Sequence, residues 1–163
     1  MSDMRPLMRR FCTAWSRVSH AYCSASNIGV KDSMLWLLYA LDDGESHSQK
    51  SICEEWYIPK TTLNTTIKQA EREGYLTLTP IPGKRREMAI QLTEYGRIYA
   101  VSVLAPVYEA EEKAMSELMK KYPILFVDAM SFYAAQFEQA LDSQLSAWQG
   151  AEAAAPSETD ELT

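Results

Sequence analysis

The sequence predicts a mainly α-helical chain carrying one small β-hairpin. Three observations predict it. Apolar residues recur at three- and four-residue steps through most of the chain, the period falls to two only over short runs near 76–79 and 88–92, and a Pro- and Gly-bearing stretch separates those runs. At 163 residues, with 47% apolar and 23% charged side chains, the chain can bury a core and has an ordinary globular composition.

Residues 4–25 set Leu7, Met8, Phe11, Cys12, Trp15, Val18, Ser19 and Tyr22 on one stripe, which predicts an amphipathic helix with one buried face. The stretch 24–29 breaks it. Asp32 or Ser33 is then placed to cap a nearly buried second helix through Met34, Leu35, Leu37, Leu38 and Leu41, stopped by Asp42, Asp43 and Gly44. Ser48 suits the N-cap of a short helix over 49–56, with Ile52, Cys53 and Trp56 on one face. Pro59 suits the first turn of the next helix, expected from about Lys60 to Glu73, with Gly74 as its C′ residue and Leu63, Ile67 and Ala70 turned inward. Two short helices joined by a tight turn are a helix-turn-helix pattern, in which the second helix lies in a major groove.

After Gly74, Leu76 and Leu78 alternate with Thr77 and Thr79, and Met88, Ile90 and Leu92 repeat the alternation. These runs enclose Pro80 to Arg86, so they read as a hairpin tipped by the consecutive cations Lys84, Arg85 and Arg86. Helix, helix, basic-tipped hairpin is the order of a winged helix-turn-helix. Thr93 can cap a long helix to about Lys121, bent or interrupted at Pro106, and another helix begins near Pro123. From Ile124 to Trp148 the apolar face of that last helix is too wide for one small core, which predicts a partner subunit. The organisation expected is an N-terminal helix over 1–30, a winged helix-turn-helix over 31–97, C-terminal helices over 98–148, and a disordered acidic tail over 149–163.

The net charge of -6 hides a gradient. Residues 1–49 balance five acids against five bases, 50–97 hold six against eight, and 98–163 hold eleven against three. Within 59–86, six bases (Lys60, Lys68, Arg72, Lys84, Arg85 and Arg86) meet only Glu71 and Glu73, which makes this the chain's basic island. Three cysteines at 12, 23 and 53 have no short paired spacing, which argues against a disulfide framework and a structural zinc site and for a reduced cytoplasmic setting. No apolar segment follows the basic start and none approaches the length of a spanning helix, so neither secretion nor membrane insertion is expected. His20 and His47 lack spaced ligand partners, and no phosphate loop, nucleophile elbow or paired-histidine motif is present, so no metal, cofactor or catalysis is expected.

The run from Ser48 to Leu78, the GKRRE tip, and Leu92-Thr93-Glu94-Tyr95-Gly96 together resemble the MarR family of winged-helix bacterial transcription regulators, and the resemblance extends to about residue 148. It implies a homodimer held by the first and the last two helices, two recognition helices in successive major grooves of pseudo-palindromic promoter DNA, and wings reaching beside them. A two-fold pair would present those helices about 34 Å apart. Two departures stand out. Lys84 replaces the aspartate of the family's Asp-x-Arg wing motif, removing an internal carboxylate and adding attraction to phosphate. Thr65 stands where many relatives carry a basic residue.

Candidate DNA contacts follow. Lys60, Thr61, Thr62, Asn64, Thr65 and Lys68 occupy the early part of the expected recognition helix, where Asn can bond adenine twice, Thr can offer a hydroxyl or a methyl, and Lys can meet guanine or phosphate. Lys84, Arg85 and Arg86 would contact backbone or a narrow minor groove, and Ser48 and Gln49 a phosphate, although capping accounts equally for Ser48. By the resemblance, Trp15, Tyr22, Trp36, Tyr39 and Tyr57 could line a pocket for a small aromatic effector, though aromatics at helical spacing also read as core. The resemblance likewise raises redox sensing at Cys12 and Cys23, against inert buried thiols, while Cys53 reads as core. The function expected is a dimeric repressor relieved by an effector. The alternatives are a winged-helix module that binds protein instead of DNA and a cysteine-based redox regulator.

Overall fold

The computed structural model describes residues 3–25, 29–84, 87–122 and 125–153. The elements are α1 (Arg5–Ala25), α2 (Asp32–Leu41), β1 (His47–Ser48), α3 (Gln49–Trp56), α4 (Lys60–Arg72), β2 (Leu76–Pro80), β3 (Met88–Leu92), α5 (Glu94–Lys121) and α6 (Leu125–Ala153). The chain is mostly helical with one three-stranded antiparallel sheet, in the order β1-β3-β2. It divides into two compact units, Met1–Glu112 and Lys113–Thr163.

The core of the first unit is built where the periodicity put it. α2 buries Met34, Leu35, Leu37, Leu38 and Leu41, and these meet Ile52 of α3, Leu63, Ile67 and Ala70 of α4, Leu76, Ile90 and Leu92 of the sheet, and Ala100 to Val107 of α5. Neither Asp32 nor Ser33 caps α2. Its N-cap is Lys31, without a side-chain hydrogen bond, and the Ser33 and Thr66 hydroxyls instead bond each other at 3.0 Å, tying α2 to α4.

Ser48 caps α3 as expected, through a reciprocal box: its Oγ accepts from the Ser51 N–H at 3.0 Å, and the Ser51 Oγ accepts from the Ser48 N–H at 3.1 Å. His47 and Ser48 also form β1, opposite Ile90 and Ala89 of β3. Tyr57 ends α3 in the left-handed region at φ 51, and Pro59 is the N-cap of α4. α4 ends at the Glu73 cap, followed by Gly74 at φ +78, where a left-handed residue closes the helix with no Cβ penalty.

The Leu-Thr-Glu-x-Gly run has a mechanical reason. The Thr93 Oγ1 accepts from the Gly96 N–H at 2.9 Å, capping α5, and donates to the Gly74 carbonyl at 2.7 Å, while the Thr93 N–H bonds the Tyr75 carbonyl at 2.9 Å. Residue 96 lies so close to Tyr75 that a Cβ there would fall 1.8 Å from its carbonyl oxygen. Glycine is required by contact, and α5 is thereby clamped to the end of α4.

α1 does not bury the expected face: Leu7, Trp15 and Val18 are each at least half exposed, although Tyr22 packs against the core. In the second unit no described side chain of α6 is buried, and Phe126, Val127, Phe132, Phe137, Leu141 and Leu145 are exposed. α6 also runs to Ala153, past the expected boundary at 148, whereas 154–163, most of the expected disordered tail, lie outside the described residues. Pro106 falls inside continuous α5.

Candidate nucleic-acid interface

The burial of α4 selects what it can offer. Leu63, Thr66, Ile67 and Ala70 face inward, which leaves Lys60, Thr61, Thr62, Asn64, Thr65 and Lys68 exposed. On one flank of this strip a shallow concavity of about 370 Å³ is lined by Lys31, Ser33, Thr61, Thr62, Thr65, Thr66 and Gln69. On the other, a groove of about 540 Å³ runs between α3, α4 and the hairpin, with Lys50, Lys60, Asn64 and Lys68 along it beside Glu54, Glu71 and Glu87.

Lys60 and Lys68 form no ion pair among the described residues, so both ammonium groups are available to an anion. Lys50, by contrast, lies 3.8 Å from Glu54. The Asn64 amide makes no hydrogen bond to a described residue, while the Thr65 hydroxyl donates to the Thr61 carbonyl at 3.0 Å. Gln49, half-buried, reaches the Lys60 carbonyl at 3.5 Å and links the starts of α3 and α4. Ser48 is occupied by its cap, so its side chain serves α3 first.

The hairpin turns at Ile81-Pro82-Gly83-Lys84, where the Lys84 N–H bonds the Ile81 carbonyl at 3.1 Å and Gly83 takes φ +78. Pro at the second position and a left-handed Gly at the third are what a type II turn demands. Arg85 and Arg86 lie outside the described residues. Lys84 is not simply an added cation: its Nζ pairs with the Glu87 carboxylate at 2.7 Å. An exposed local ion pair is therefore present here too, with its basic member at residue 84. Glu87, which sequence reasoning passed over, stands three residues from Lys84 and was the available signal.

Of the aromatic residues expected to line an effector pocket, Tyr22, Trp36 and Tyr39 come together, with ring centroids 5.0 Å (Tyr22–Trp36) and 5.9 Å (Trp36–Tyr39) apart. Trp56 and Tyr108 complete the cluster. Trp15 and Tyr57 are 58% and 72% exposed and do not line it. The Glu111 carboxylate joins two of its phenols, accepting bonds from the Tyr22 hydroxyl at 2.5 Å and the Tyr39 hydroxyl at 2.9 Å, and the Tyr108 hydroxyl donates to Asp42 at 2.9 Å. Burial first, and then these carboxylates, push the Tyr39 phenol up to about 12 and those of Tyr22 and Tyr108 higher still. Glu111 lies 89 residues from Tyr22 in the chain, so no local spacing announced it.

Cys12 and Cys23 are exposed thiols on α1, contrary to the expectation of buried ones, and Cys53 is half-buried against the core. No group of three His, Cys, Asp or Glu side chains able to hold a metal occurs among the described residues. No helix among them is long and apolar enough to cross a membrane.

The model of the MarR family matches residues 28–87, which span α2, the helix-turn-helix and the hairpin. That segment matches the winged helix of the MarR family. No curated protein matches the chain by sequence. Among solved structures, the MarR family regulator NMB1585 of Neisseria meningitidis superposes with a TM-score of 0.66 at 19% identity, covering 90% of this chain and 98% of that one. BpsR of Bordetella bronchiseptica, whose DNA binding is regulated by 6-hydroxynicotinic acid, gives 0.54 at 19%, covering 79% and 98%. Overoxidized AbfR bound to DNA gives 0.55 at 18%, covering 87% and 97%. At these identities the likeness establishes the MarR fold along most of the chain.

Proposed function

We propose that this protein is a dimeric transcriptional regulator that binds pseudo-palindromic promoter DNA and acts as a repressor relieved by a small aromatic effector. The observation that carries the reading is the α4 strip. Two lysines and an asparagine amide without a partner among the described residues stand exposed with three threonines on a helix tied at both ends, and the hairpin sequence beside it carries three cations. Lys60 and Lys68 would meet phosphate or guanine, Asn64 and the threonines base edges, Gln49 and the α3 N-terminus a phosphate, and Lys84, Arg85 and Arg86 the backbone beside the wing. Ser48 would contribute through the α3 start it caps.

Dimerisation is supported by the apolar side chains that single-chain burial leaves exposed on α1 and α6, the cover for which is a second copy. The Tyr22, Trp36 and Tyr39 cluster supports effector control, because it joins α1 to the winged helix through Glu111. BpsR offers a precedent for ligand control in this fold. A second reading, thiol sensing, is favoured by the exposure of Cys12 and Cys23 on α1, and overoxidized AbfR offers its precedent. It predicts that peroxide weakens DNA binding by the wild type and not by the Cys12→Ser, Cys23→Ser double variant.

The regulator reading is tested by titrating the full chain against duplexes from its own upstream region over a range of salt concentrations. Log affinity should fall linearly with log salt, and Lys60→Ala and Lys68→Ala, each removing one contact from both protomers, should each flatten the slope by about 1.8, about 0.9 per contact. A chain that captures a protein partner but retains no duplex would make it an interaction module.

A further inference from the structure

We infer that Thr65 reads DNA through its methyl group, selecting a thymine in each half-site, and that its hydroxyl takes no donor role in recognition. The inference rests on the proposed DNA-binding role of α4 and assigns the chemistry of one position in it.

A threonine in a major groove has two ways to discriminate. Its hydroxyl can donate to O6 or N7 of a purine or O4 of thymine, or its γ-methyl can pack against the thymine C5-methyl. On α4 the choice at residue 65 is made before DNA arrives. The Thr65 Oγ1 donates to the Thr61 carbonyl at 3.0 Å, so its only proton is engaged within the helix. With its proton held at Thr61, Oγ1 can offer a base only its lone pairs, and the γ-methyl is the group able to meet a thymine methyl; residue 65 is exposed. Thr66, one residue on, makes the same back-bond to the Thr62 carbonyl at 3.0 Å but is buried beneath the strip against Ser33. The hydroxyls of Thr61 and Thr62 make no such bond and remain open to either role. Residue 65 is thus the exposed threonine of the strip whose donor is already occupied.

The neighbourhood agrees. The concavity beside Thr65 is lined by Ser33, Thr61, Thr62, Thr66 and Gln69, with Lys31 as its one cation, so most of the groups around the Thr65 methyl are uncharged. Asn64, its neighbour, keeps both amide groups available for an adenine.

The experiment selects tight-binding duplexes from a random pool with the full chain, then replaces each thymine in turn by deoxyuridine, which removes the C5-methyl alone. One thymine per half-site should lose about fourfold in affinity on that change, the size expected for one methyl removed from an apolar contact. Thr65→Val keeps the methyl and loses the hydroxyl, so it should retain both the affinity and the deoxyuridine penalty. Thr65→Ser keeps the hydroxyl and loses the methyl, so it should bind about fourfold more weakly and no longer distinguish deoxyuridine from thymine at that position. Circular dichroism establishes that both variants are folded. If Thr65→Val loses affinity while Thr65→Ser does not, or if no thymine methyl matters, the inference is wrong and the DNA-binding role stands. If no duplex is enriched, both fall together.

Discussion

Replacing Gly96 with alanine sets two physical effects against each other, and the structure says which wins. In an exposed helix alanine is better than glycine by about 1 kcal/mol. Here the new Cβ would sit 1.8 Å from the Tyr75 carbonyl oxygen, 2.7 Å from its carbonyl carbon and 3.0 Å from its Cα. All three atoms are backbone of the residue that precedes β2, so no rotamer change relieves the clash, and more than an ångström of separation between α5 and Tyr75 is needed. That movement strains the bonds from Thr93 to the Gly74 and Tyr75 carbonyls, each contributing about 1 kcal/mol. Overpacking adds about 1–3 kcal/mol. The net expectation is a loss of about 2–4 kcal/mol after the helix gain is subtracted. Urea unfolding followed by circular dichroism, at fixed protomer concentration because association shifts apparent stability, reads this directly. Gly44→Ala is the reference: its Cβ would meet nothing within 4 Å, so its φ of +81 costs only about 1 kcal/mol. A Gly96→Ala protein as stable as the wild type would refute the clamp between α5 and the end of α4.

Two further outcomes follow from the wing and the aromatic cluster. Glu87→Gln removes the partner of Lys84, and because that pair is exposed its stability effect is at most about 1 kcal/mol. The lysine freed in each protomer should instead steepen the salt dependence of duplex binding by up to about 1.8 for the dimer, about 0.9 per contact, and an unchanged slope would mean that Lys84 does not approach phosphate. Tyr22, Tyr39 and Tyr108 titrate above the ordinary tyrosine value of 10.0, Tyr39 at about 12. The folded state therefore holds protons that the unfolded state releases, so their contribution to stability is complete below about pH 10 and is lost as pH rises toward about 12. Ultraviolet titration of tyrosinate should show this late group, and Tyr39→Phe should remove part of the alkaline fall in stability. A Tyr39→Phe protein with the wild-type pH profile would contradict the assignment.

What the sequence disclosed was whatever is carried by neighbours in the chain. Ser48, Pro59 and Gly74 mark the ends of α3 and α4 because capping and left-handed termination are local acts, and Leu76/Leu78 against Ile90/Leu92 set the hairpin because a period of two is local too. β1 escaped notice because two residues carry no period; its pairing is decided by Ile90 and Ala89, far along the chain. The cap of α2 was misassigned because Ser33 is drawn away by Thr66, a contact across 33 residues. Glu111 was invisible for the same reason, since a carboxylate gains its meaning from the phenols that surround it. The stripe on α1 is apolar as its spacing predicts, yet Leu7, Trp15 and Val18 are exposed within the single chain, because periodicity reports what a face prefers and not what covers it.

The most direct test of the account is hydroxyl-radical footprinting of the selected duplex with the full chain. Two α4 strips related by a two-fold axis should protect two patches centred about 10 base pairs apart on the same face of the helix, with Asn64→Ala abolishing both patches together. One protected patch, or protection that survives the loss of Asn64, Lys60 and Lys68, would contradict the claim that paired recognition helices engage successive major grooves.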